Sequence, residues 1–87
     1  MARPVIVCTE YRGVFFGYAE DTSGDTIALK DAKMALYWDA VVRGVLGLAC
    51  VGPVGVCKVS APADITVRKV TAVIEVTPEA EAAWRQR

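Results

Sequence analysis

The sequence predicts a small α+β fold, with a mainly antiparallel, curved sheet of about six strands, one short central helix and one C-terminal helix. Three observations point there. Short β-branched and aromatic runs recur between turn-forming clusters, without the regular strand–helix alternation of a parallel sheet. Residues 39–51 carry helical spacing, and Thr77-Pro78-Glu79 is a clean helix start. The 87 residues hold no polar linker or low-complexity segment, so residues 1–87 read as a single domain.

Val5, Ile6, Val7 and Cys8 form a short apolar run and read as a buried strand. Tyr11-Arg12-Gly13 punctuates it, and residues 14–18, with Phe15, Phe16 and Tyr18, make a second strand. Residues 20–25 collect turn formers into an exposed hairpin loop. Its three acids lack the alternating ligand order of a calcium loop, so the segment reads as a solvated tip. Residues 26–29 are strand again, with Ile27 and Leu29 on one face. Asp31-Ala32-Lys33 is expected to bulge or turn before a strand over residues 34–38.

In residues 39–51, Val42, Val45, Leu46 and Ala49 have helical spacing, and Asp39 is placed to cap the start. Gly44 and Gly47 each weaken a helix interior by about 1 kcal/mol. The reading is one helix of two to three turns, ending near Gly52-Pro53. Residues 54–59 then read as strand and 60–64 as loop. Residues 65–76 read as strand with a phase change at Arg68-Lys69, where the inward set switches parity, implying a bulge or tight corner. At Thr77-Pro78-Glu79, a capping hydroxyl precedes a proline at the first helical position and an acid in the first turn. Residues 80–86 continue that helix, and Trp84 is expected to dock on the sheet.

Composition excludes several functions. At 54% hydrophobic and 23% charged, the chain is not disordered. Ten basic residues balance ten acidic ones, which excludes a general binder of polymeric nucleic acid. The longest uncharged run, residues 44–57, is interrupted by glycines and Pro53 and falls short of the ~18 residues needed to span a bilayer. The apolar run after Met1-Ala2-Arg3-Pro4 is too short for a signal-peptide core, so the expected setting is cytoplasmic, away from membranes. An odd cysteine count with no framework spacing (Cys8, Cys50, Cys57) implies reduced, mostly buried thiols.

Histidine is absent, which removes the usual imidazole base and every His-containing zinc site. Cys50 and Cys57, with Pro53 between them, lack zinc-knuckle spacing. Lys58 would have to activate Cys57, yet neighbours in a strand point to opposite faces. No enzyme, catalytic residue, metal or cofactor is expected.

One constellation stands out. Arg12-Gly13-Val14-Phe15-Phe16-Gly17 and Arg43-Gly44-Val45-Leu46-Gly47 both open on Arg-Gly-Val. An arginine before a glycine can set a guanidinium fork beside free backbone N–H groups, which suits an anion. A helix beginning near Arg43-Gly44 would add its positive dipole end. Tyr37-Trp38 lies just upstream, and an aromatic face beside an arginine is a common way to hold a nucleotide. Arg12, Gly13, Tyr37, Trp38, Arg43 and Gly44 are therefore the candidate ligand-binding residues. The plainer readings stay open: solvated arginines at glycine turns, and a ring pair with one member in the core and the other covering the surface.

The Arg12–Phe15 segment, Met34 with Tyr37-Trp38, the Arg43–Ala49 block, Gly52-Pro53, and Thr77-Pro78-Glu79-Ala80 ahead of Trp84 resemble a family of short proteins encoded by tailed bacteriophages and prophages. The resemblance covers nearly the whole chain. It implies a phage-type setting and supplies no mechanism; the three cysteines stand outside its pattern.

A chain of this size buries roughly 63% of its unfolded surface, and the burial gain nearly cancels the ordering cost, so a homo-oligomer is expected. The functional expectation is a non-enzymatic oligomeric sponge that sequesters a small anionic ligand, such as a nucleotide second messenger of host defence. The competing expectation is a structural or interaction protein, a phage accessory factor that binds or inhibits a host protein.

Overall fold

A computed structural model describes residues 2–10, 13–38, 40–42 and 44–86. Val5, Ile6 and Val7 are fully buried at the centre of strand β1 (Arg3–Thr9), which explains their unbroken apolar run: the strand is covered on both faces. β1 pairs antiparallel with β2 (Val14–Ala19) on one side and with β6 (Val70–Glu75) on the other. β3 (Ile27–Tyr37) follows β2, and its outer edge takes β5 (Ala63–Val67) along its first part and the short β4 (Lys58–Val59) along its last. The sheet is open and antiparallel, in the order β4-β3-β2-β1-β6, with β5 paired beside β3. The six-stranded α+β architecture read from the sequence is the one observed.

Each face of the sheet carries its own core. On one, Ile6, Val14, Phe16 and Ala35 meet two helices, α1 (Val45–Cys50) and α2 (Pro78–Arg85), through Leu48, Ala49, Ala80 and Trp84. On the other, Val5, Val7, Ala19, Ile27, Leu29, Ala32 and Val67 pack together as the β3–β5 pair curls over.

The expected interruption at residues 31–33 is a bulge inside one long strand, because hydrogen bonding resumes beyond it. Asp31 sits at φ +50°, and its amide donates to Asp64 Oδ1 at 3.0 Å. The β2–β3 register slips there, from Phe16↔Lys33 to Tyr18↔Lys30. The phase change at Arg68-Lys69 is a corner separating β5 from β6. Lys69 has φ +57°, and the amide of Val70 donates to the Asp25 carbonyl at 2.9 Å.

The single helix expected over residues 39–51 is corrected by the structure. A 3₁₀ turn (Ala40–Val42) and the six-residue α1 replace it, because Gly44, at φ +87°, leaves the right-handed helical region between them. Asp39, the expected cap, lies outside the described residues. Gly47 is also explained: a Cβ there would drive into the Val42 carbonyl, with that group's carbon only 2.7 Å away. Of the strand expected over residues 54–59, only Lys58–Val59 pairs, since the chain is still turning at Gly52 and Gly55. The loop expected over 60–64 ends earlier, at Ala63, where β5 begins.

The C-terminal helix follows its sequence signal. Thr77 Oγ1 accepts the Ala80 amide at 3.1 Å, and Pro78 holds the first position. Trp84 is fully buried, stacked on Phe16 with ring centroids 5.0 Å apart and planes 4° from parallel. Its Nε1 donates to the Leu48 carbonyl at 3.0 Å. The last carbonyls of α1 are thereby all satisfied. Gly47 O accepts from the amides of Val51 and Gly52, Leu48 O from Trp84, Ala49 O from the Thr77 amide and Cys50 O from the Thr77 hydroxyl. Through these bonds α2 holds α1 onto the sheet. Among the described residues, no helix is long and apolar enough to cross a membrane.

Candidate functional site

The antiparallel register decides which predicted residues meet. Phe15 of β2 pairs with Met34 of β3, so Gly13, just before β2, lies at the same end of the sheet as Tyr37 and Trp38. Gly44 links the 3₁₀ turn to α1, and Val42 and Val45 on either side of it enter the same helix-side core as Val14 and Trp38. Gly13, Tyr37 and Trp38 thus stand at one end of the sheet, whereas Gly44 lies on the helix-bearing side and the register does not bring it to them. Arg12 and Arg43, the two cations assigned to anion binding, lie outside the described residues.

The geometry separates the roles of the four. Gly13 is buried, and its amide donates to Thr9 Oγ1 at 3.0 Å; a Cβ there would meet that oxygen at 2.9 Å and the Phe15 ring at 2.7 Å. Its small size is therefore required by packing in the β1–β2 turn. Trp38 is half-buried against the core, whereas Tyr37 is more than half exposed. One ring packs and the other covers the surface, so Tyr37 is the ring open to a ligand. α1 has no side-chain cap and only six residues, so it supplies a short dipole.

Among the described residues, Leu36, Tyr37, Val41, Leu46 and Val56 are each more than half exposed. Val41, Leu46, Cys50 and Val51 line a shallow cleft of about 360 Å³. The sequence expectation that the thiols are mostly buried is corrected here. Cys50 is exposed on α1, while Cys8 and Cys57 are half-buried. Helical spacing marked Leu46 and Ala49 as inward, but the break at Gly44 rotates the short helix so that Leu48 and Ala49 point inward instead. Burial raises the Cys8 thiol above its ordinary 9.0, which makes it a weak nucleophile. Among the described residues, no group of three or more His, Cys, Asp or Glu side chains could hold a metal ion.

Sequence reasoning did not find a larger cleft, of about 590 Å³, whose lining includes none of the predicted ligand residues. Tyr18, Lys30, Asp31, Lys33, Glu81 and Arg85 contribute to its walls, together with Pro62. Tyr18 donates its hydroxyl to Glu81 Oε2 at 2.8 Å, and Lys33 Nζ donates to the Trp84 carbonyl at 2.8 Å. Burial, followed by that bond and the charge of Glu81, pushes the Tyr18 phenol from its ordinary 10.0 up to about 12. No local motif could have shown this cluster, since its members come from β2, β3 and α2.

Residues 2–84 match the family described as a domain of unknown function, DUF6948. The chain belongs to that family. No curated protein and no solved structure matches it.

Proposed function

We propose that this DUF6948 protein is a non-enzymatic binding module that works as a homo-oligomer and holds a small anionic ligand of the nucleotide class. The observation that supports the reading most is the exposure of five large apolar side chains, Leu36, Tyr37, Val41, Leu46 and Val56, with Val41 and Leu46 lining one cleft. A monomer of this size gains nothing by exposing such a surface, whereas a second copy would cover it. An isologous contact through exposed apolar side chains would enclose a ligand that one chain is too small to surround. Arg12 and Arg43 stand next to Gly13 and Gly44 in the chain and would supply the phosphate contacts, with Tyr37 stacking a base. The absence of histidine agrees with binding rather than catalysis. In the phage-type setting, the ligand would be a signal nucleotide of the host cytoplasm.

Light scattering on wild type and Leu46→Glu, with thermal unfolding against cyclic, linear and ADP-ribose-type nucleotides, tests both halves of the proposal. The expected results are an oligomer that Leu46→Glu dissociates, and a nucleotide-dependent rise in melting temperature that Arg43→Ala reduces. A ligand at 100 times its Kd would add about 2.7 kcal/mol. A monomeric wild type with no thermal shift would refute the reading. The same exposed apolar side chains support a second reading, an accessory factor docking on a host protein. That reading takes over if wild type is monomeric and Leu46→Glu abolishes capture of one defined partner.

A further inference from the structure

The bulge at Asp31 has a consequence for the large cleft. In a regular strand, residues three apart point to opposite faces, so Lys30 and Lys33 would be separated by the sheet. The slipped register instead sets Lys33 opposite Phe16 and Lys30 opposite Tyr18, and Phe16 and Tyr18 share the helix-bearing face. Both lysines therefore stand on that face, lining one cleft with Arg85 of α2. A non-glycine residue at φ +50° is strained, and this one is held by the bond from its amide to Asp64. Bulges of this kind re-aim side chains, and they are frequent beside binding sites.

The charges select the ligand. Lys30, Lys33 and Arg85 face Asp31 and Glu81, and Asp64 beside Lys30 balances the third cation. Lys30 is already paired with Asp64 at 3.3 Å, and Lys33 gives one N–H to the Trp84 carbonyl and keeps two. The Arg85 guanidinium makes no hydrogen bond or ion pair with the described residues, although it lies near enough to Tyr18 to act on its phenol. The Tyr18 ring is locked by Glu81, and Pro62 offers a second apolar wall. Two cations with donors to spare, Lys33 and Arg85, beside a fixed ring suit a monoanion with an apolar body, while the carboxylates around them repel polyanions.

We propose that this cleft binds a small organic carboxylate, its carboxylate on Arg85 and Lys33 and its apolar body against Tyr18 and Pro62. The site includes none of Gly13, Tyr37, Trp38 and Gly44 and does not depend on the nucleotide reading. Two-dimensional NMR of the ¹⁵N-labelled protein, titrated with benzoate and in parallel with inorganic phosphate, tests it. Benzoate is expected to give saturating shifts at Tyr18, the residue 30–33 bulge and the last turn of α2, and Arg85→Gln, at an exposed position, to weaken it about tenfold. Lys33→Gln is the second variant, read only after its circular dichroism matches wild type. The proposal is overturned by absence of saturation at millimolar benzoate, by phosphate binding more tightly than benzoate, or by unchanged affinity in folded Arg85→Gln. Nucleotide-induced shifts confined to Gly13, Tyr37 and Gly44 would bear on the nucleotide reading alone, so the two readings can fail separately.

Discussion

Replacing Trp84 with Phe tests the joint between the two helices and the sheet. The substitution keeps a ring for Phe16 to stack on, but it removes the indole N–H that serves the Leu48 carbonyl. That carbonyl lies in the last turn of α1, where the helix has no amide of its own to offer. Leaving it unpaired in the core costs about 1–3 kcal/mol. The smaller ring also leaves a void of several tens of cubic ångströms, worth about 1 kcal/mol at ~24 cal/mol per Å³. Together the loss is about 2–4 kcal/mol. An 87-residue domain has about 4–13 kcal/mol of stability in all. At roughly 4–8 °C per kcal/mol, the midpoint should fall by about 8–32 °C. Urea unfolding followed by far-ultraviolet circular dichroism measures this without relying on tryptophan emission. The m-value should hold, because the surface exposed on unfolding is nearly unchanged. A loss below about 0.5 kcal/mol would refute the reasoning, since it would mean the indole neither caps α1 nor fills the core.

Gly47→Ala places a Cβ against the Val42 carbonyl, so a substitution that ordinarily strengthens a helix should here destabilise the protein by at least about 1 kcal/mol in denaturant melts; a stabilised variant would show that the 3₁₀ turn does not pack there. The raised Tyr18 phenol has a defined sign. Its folded value, about 12, exceeds its ordinary 10.0, so its contribution is complete below pH 10 and is lost as pH rises towards 12. Stability should therefore fall across that window, and Tyr18→Phe should lose this part of the alkaline dependence; a variant with the wild-type profile would contradict the assignment. Among the thiols, exposed Cys50 should react first with a disulfide reagent at pH 8, well ahead of Cys8, which is half-buried and raised above 9.0. A fast phase that survives in Cys50→Ser would overturn that order.

The elements legible in the sequence are those whose signals are local. Val5–Val7 read as a strand covered on both sides, since a continuous β-branched run has nowhere else to go. Thr77-Pro78-Glu79 read as a helix start, because a cap acts on amides only three residues away. The parity change at Arg68-Lys69 was visible because one slipped residue exchanges every following side chain between faces. Residues 39–51 were misread for a physical reason too. Spacing records which side chains seek burial, and it does not record that Gly44 will leave the helical region or that the Val42 carbonyl will occupy the space beside Gly47.

Tertiary structure alone decided the rest. The sequence shows that Trp84 must be buried, but its partners, Phe16 and the Leu48 carbonyl, stand on β2 and α1 and meet it only after both have packed. Gly13 and Tyr37 are separate marks on a line that only the β2–β3 register brings to one end of the sheet. The cleft around Tyr18 left no mark at all. Lys30 and Lys33 share a face only because Asp31 bulges, and the bulge is held by Asp64 from a strand that arrives much later in the chain. A residue's preference for strand, helix or turn is set within a few neighbours. Which side chains converge depends on register and on bulges, which are settled by contacts far apart in sequence.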